Sequence, residues 1–106
     1  MKFPFNYGIF NSMELSELRQ KIDEIDKNIV ELFEARMEIS EQVAEYKIGR
    51  GMKVLDKDRE AVKIEAVKAL THSDFNAEAI EELYEKILYL SRKRQTEIME
   101  DRGIKC

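Results

Sequence analysis

Residues 14–48, ELSELRQKIDEIDKNIVELFEARMEISEQVAEYKI, contain neither glycine nor proline. Within them Leu15, Leu18, Ile22, Ile25, Ile29 and Leu32 recur in alternating steps of three and four. The series passes through Arg36 and resumes at Ile39, Val43 and Tyr46. That spacing lays one apolar stripe along a helix about 50 Å long at 1.5 Å per residue. The rest of a 106-residue chain is too small to cover the stripe, so a second copy is expected to do so.

The elements on either side follow from breakers and caps. Gly49-Arg50-Gly51 ends the first helix, and residues 52–55 form a short connector. Asp56 and Asp58 offer N-cap oxygens for a second helix over about residues 57–70, with Ile64, Val67 and Leu70 inward. Thr71-His72-Ser73-Asp74 is a polar break, and Asp74 or Asn76 can cap a third helix from about residue 77 to the low hundreds. Ile80, Leu83, Tyr84, Ile87, Leu90, Ile98 and Met99 supply its apolar side, and Gly103 ends it. Residues 1–12 differ in composition, with Phe3, Phe5, Tyr7 and Phe10 set among Pro4 and Gly8. They read as a non-helical extension before a helical domain over 13–106, and Met13 is a candidate alternative start. The expected fold is all-α: three helices, long, short and long, intertwined with a second copy in a homodimer.

Composition excludes several classes. Hydrophobic residues at 43% and charged residues at 38%, with four Gly and one Pro, fit neither a disordered chain nor a turn-rich β-protein. A formal charge of −4 argues against nucleic-acid and anionic-lipid binding. Cys106 is the one cysteine, so neither an intrachain disulfide nor a cysteine-based metal site is expected. No apolar run has the length of a membrane span. MKFPFNYGIF lacks the apolar core and cleavage site of a secretory signal, so a cytoplasmic protein is expected.

The informative positions are polar residues where the stripes call for apolar ones. Arg36 stands in register between Leu32 and Ile39, and a half-buried guanidinium needs an anion. Glu60 or Glu38 would serve structurally; a bound anionic ligand would serve functionally. Lys47 lies eleven residues on, so it points within about 20° of Arg36, and two cations on one face favour the ligand. Ser91 and Gln95, spaced i, i+4 on the third helix, need hydrogen-bond partners, either across to another helix or on a ligand. Glu60 sits one turn before Ile64, and its neighbour Arg59 faces the same site or solvent. Arg19 is about 25 Å along the first helix from Arg36 and rotated by about 100°, so the two reach one small ligand only from different chains. Otherwise Arg19 is a surface residue. His72 is the one histidine and sits in a loop; no nucleophilic triad, metal-ligand spacing or glycine-rich phosphate loop occurs. Chemistry here would fall to positioned charges and hydrogen bonds.

Four segments, LRQKIDEIDKNIVELFEAR (18–36), VAEYK (43–47), VLDKDRE (54–60) and LSRKRQ (90–95), together resemble the all-helical (type II) chorismate mutases. The resemblance spans about residues 15–98. It implies a cofactor-free and metal-free Claisen rearrangement of chorismate to prephenate, in a homodimer whose subunits share active sites. It places the family's arginines on Arg19 and Arg36, its lysine on Lys47, its acidic segment on Asp56, Arg59 and Glu60, and its third-helix pair on Ser91 and Gln95. Arg36, partner Arg19 and Ser91 would clamp the two carboxylates of the substrate; Lys47 and Gln95 would serve the ether oxygen. Glu60, with the Asp56 region, would hold the ring hydroxyl, and Arg59 would support. Isochorismate pyruvate-lyase, of the same fold, is the nearest alternative, but the lyases compared lack the Asp56–Glu60 segment and the serine. A non-catalytic helical dimerisation module is the alternative from another class.

Overall fold

The computed structural model describes residues 14–105; the expected extension over 1–12, the start at Met13 and the thiol of Cys106 lie outside them. Among the described residues there are three helices and no strand: α1 (Leu15–Arg50), α2 (Lys57–Ala69) and α3 (Asp74–Asp101). The expected long, short and long order is observed. No helix among them is long and apolar enough to cross a membrane.

The chain divides into two compact units, with the boundary between Ala35 and Arg36, inside α1. The described part of the first unit, residues 14–35, is almost entirely helix. Its Leu15, Ile22, Ile29, Val30 and Leu32 are exposed, and its Leu18, Ile25 and Phe33 half-buried. The apolar stripe read from the sequence is therefore open to solvent in this single chain.

The second unit is a three-helix arrangement built from residues 36–50 of α1 with α2 and α3. Arg36 meets Ser91, Ser40 meets Gln95 and Glu45 meets Arg102, so the numbering rises together and these stretches of α1 and α3 run parallel. Between the rungs Ala44 and Met99 are buried. Glu60 meets Arg92 and Lys68 meets Glu81, so α2 runs antiparallel to α3. The Lys68–Glu81 hydrogen bond holds the ammonium charged above its ordinary range. This link is present through neutral pH and is lost only as pH rises past the raised value.

Both long helices end in the same glycine motif. Gly51 has φ +64°; its N–H reaches the Ile48 carbonyl and the Met52 N–H reaches Lys47 O at 2.9 Å. Gly103, φ +71°, repeats the pattern, with Ile104 N–H bonded to Met99 O at 2.9 Å. These are Schellman endings, which satisfy the last carbonyls and reverse the chain. After the reversal, Asp56 caps α2, its Oδ1 accepting from the Arg59 N–H at 3.0 Å.

Three details correct the sequence reading. α3 starts at Asp74, because Ser73 caps it by accepting from the Asn76 N–H at 3.1 Å, one residue before Asp74 and three before Asn76, the two expected caps. Leu70, expected inward, is 75% exposed, because it is the C-cap beyond the last turn of α2. Leu83 is 52% exposed; it lies about 140° around the helix from Leu88, which lies on the packed face with Ser91, Gln95 and Met99.

Gly51→Ala adds a Cβ that meets nothing within 4 Å, so its cost is purely conformational. Chemical denaturation at fixed protein concentration is expected to show a loss of about 1–2 kcal/mol.

Candidate active site

Lys47 is tied twice at the end of α1. Its carbonyl accepts the Met52 N–H of the glycine ending, and its Nζ donates to the Val54 carbonyl at 2.7 Å. The same Nζ lies 3.4 Å from Gln95 Oε1, and Gln95 Nε2 donates to Ser40 Oγ at 2.9 Å. Gln95 is buried, so both ends of its amide need partners, and α1 supplies both. One turn before Gln95, Ser91 Oγ accepts from Arg36 Nη1 at 2.8 Å. The Arg36 guanidinium also lies 5.9 Å from the centroid of the Tyr84 ring. Among the described residues no buried side-chain nitrogen or oxygen lacks a partner.

These side chains surround a cavity of about 340 Å³. Of the residues singled out from the sequence, it is lined by Arg36, Lys47, Asp56, Arg59, Glu60, Ser91 and Gln95. Arg19 is exposed and belongs to the other unit. Arg36 is paired with neither Glu60 nor Glu38: its hydrogen bond among the described residues goes to a neutral hydroxyl, and Glu60 pairs with Arg92. Ser91 and Gln95 do bridge α3 to α1, and they also line the cavity.

The electrostatics favour an anion. Basic side chains on the wall are Arg36, Lys47, Arg59, Lys63 and Arg92, against Asp56 and Glu60. Glu60 is taken by Arg92, and one oxygen of Asp56 by the α2 cap. Arg36 and Lys47, both half-buried, have no anionic partner among the described residues: their hydrogen bonds go to neutral oxygens. A larger cavity of about 580 Å³ shares Val54 and Arg92 with this one, but the buried polar groups converge on the smaller. Among the described residues no three His, Cys, Asp or Glu side chains cluster as metal ligands.

The family described as chorismate mutase type II matches residues 18–96. This chain belongs to the type II chorismate mutase family. The matched stretch includes every candidate residue from Arg19 to Gln95. A chorismate mutase of Methanocaldococcus jannaschii is 37% identical over 57 residues, covering 54% of this chain and 58% of that protein. This chain thus matches less than two thirds of the length of that relative. No solved structure gives a significant match.

Within this type II chorismate mutase domain, Ser40, Lys63 and Arg92 line the cavity without having been singled out from sequence. Ser40 was legible in principle: it lies four residues after Arg36 and seven before Lys47, on their shared face. Arg92 was not, because an arginine inside a run of basic residues reads as solvated surface. Ser40→Ala removes the acceptor of a buried amide. Denaturation at fixed protein concentration is expected to show a loss of about 1–3 kcal/mol, the cost of an unpaired buried donor.

Proposed function

We propose that this chain is a chorismate mutase, converting chorismate to prephenate in the cytoplasm as a homodimer. Residues 13–106 form the mutase domain and 1–12 an extension. The observation that carries this reading is the placing of Arg36 and Lys47 on one wall with no anionic partner among the described residues, beside Gln95 and Ser91. That wall suits a small dianion.

The rearrangement breaks an ether C–O bond and forms a C–C bond inside one molecule. It transfers no proton, hydride or electron to another species, so the reaction requires no cofactor. What it needs is a held conformation and charge stabilisation. The Arg36 guanidinium, steadied by Ser91 and the Tyr84 ring, grips one substrate carboxylate through its planar fork. Arg19 of a second copy grips the other. As the C–O bond lengthens, negative charge grows on the ether oxygen, where Lys47 and the second amide hydrogen of Gln95 donate. The Val54 carbonyl and Ser40 hydroxyl pre-orient these two donors, so little reorganisation is needed in the transition state. Glu60 accepts from the ring hydroxyl, with Asp56 and Arg59 supporting it.

A second copy is supported by the solvent-open stripe. Fully burying a leucine or isoleucine side chain is worth about 1.5–3 kcal/mol, and Leu15, Ile22, Ile29, Leu32 and Ile39 are all more than half exposed.

Mixing the purified protein with chorismate and following its ultraviolet absorbance, with the product identified by chromatography, tests the reading. Conversion to prephenate is expected, and Lys47→Ala should lower kcat by roughly 10²–10³-fold. No conversion by a folded protein would sink the mutase; release of pyruvate from isochorismate instead would make it a lyase. Subunit sharing has its own check. Arg19→Ala and Arg36→Ala are each expected to be nearly inactive, and refolding them as a mixture should regain activity through one intact site per heterodimer. A mixture that forms heterodimers yet stays inactive contradicts sharing.

A further inference from the structure

Arg92 follows Ser91 directly on α3, so it projects about 100° further round the helix, away from the seam with α1. There it donates from Nη1 to Glu60 Oε1 on α2. Both side chains are largely withdrawn from solvent, at 32% and 24% exposed, so their attraction is screened less than that of a surface pair. Arg92, with Val54, lines both neighbouring cavities, and Glu60 lines the smaller.

We infer that Arg92 is a positioning residue that sets Glu60 for the hydroxyl of the substrate. The inference rests on the mutase reading. Two consequences of the contact carry it. An unpaired Glu60 carboxylate would repel a dianion from the cavity that must admit it, and the guanidinium cancels that charge. The guanidinium also occupies Oε1, and among the described residues Oε2 has no hydrogen-bond partner in the chain. One acceptor oxygen is thus left for a ligand hydroxyl, with its orientation fixed by a rigid, always-charged fork. Lysine at this position would keep the charge but lose the planar geometry.

The hydroxyl takes no part in bond making or breaking. Losing its partner therefore removes binding common to ground and transition states, which raises KM and spares kcat. A merely structural role would lower the active fraction, and so kcat, at constant KM.

Steady-state kinetics with chorismate on the full chain, for Arg92→Leu, Arg92→Lys, Glu60→Gln and the Arg92→Leu/Glu60→Gln double variant, separate these outcomes. Arg92→Leu and Glu60→Gln are each expected to raise KM roughly 10-fold. The double variant should also be raised roughly 10-fold, not the roughly 100-fold of independent sites. Arg92→Lys should fall between wild type and Arg92→Leu, and it keeps the test open should the leucine variant not fold. Unchanged KM in Arg92→Leu, or in Arg92→Lys if only that variant folds, overturns the inference, as do additive penalties in the double variant. Wild-type turnover distinguishes the two failures: with turnover present, only the role of Arg92 falls; with none, the mutase reading falls and takes this role with it.

Discussion

A primary amide buried between two helices must have partners for both its ends, or the helices will not close over it. Gln95 is that amide. Ser40 takes its Nε2 and Lys47 approaches its Oε1, both from α1. One turn away, Ser91 and Arg36 make the same kind of bridge. The α1–α3 seam of the second unit therefore combines the buried apolar pair Ala44 and Met99 with hydrogen-bonded polar rungs. The groups that hold this seam are the ones proposed to act on the substrate. An apolar replacement of the seam is the kind of change that can raise stability while removing function.

The chain ends of the helices matter as much as their faces. A positive φ at Gly51 turns the backbone so that Val54 returns to the Lys47 ammonium and Asp56 arrives in position to cap α2. The ammonium sits near the C-terminus of α1, where the helix dipole favours a cation. The acidic chain thereby keeps a local cationic wall: its net charge is −4, yet Arg and Lys outnumber Asp and Glu by five to two along the cavity. A dianion would meet attraction only where the fold has gathered these groups.

The sequence by itself determined the three helices, their order and most of their boundaries. Helical periodicity, the paired glycines at 49 and 51 and the Asp56 cap are local signals, acting within a turn or two of the residue that carries them. It also marked Arg36, Lys47, Ser91 and Gln95, because a polar residue in an apolar register is costly unless something answers it. Tertiary structure decided which groups answer. That Arg36 meets Ser91 and not a glutamate, that Ser40 completes the Gln95 amide, and that Glu60 belongs to Arg92 depend on the parallel register of α1 with α3 and the antiparallel register of α2. Leu83 is exposed because periodicity finds an apolar face, but only packing decides which part of it is covered. Contacts between residues more than thirty positions apart are set by how whole faces fit together, and no local pattern along the chain encodes that fit.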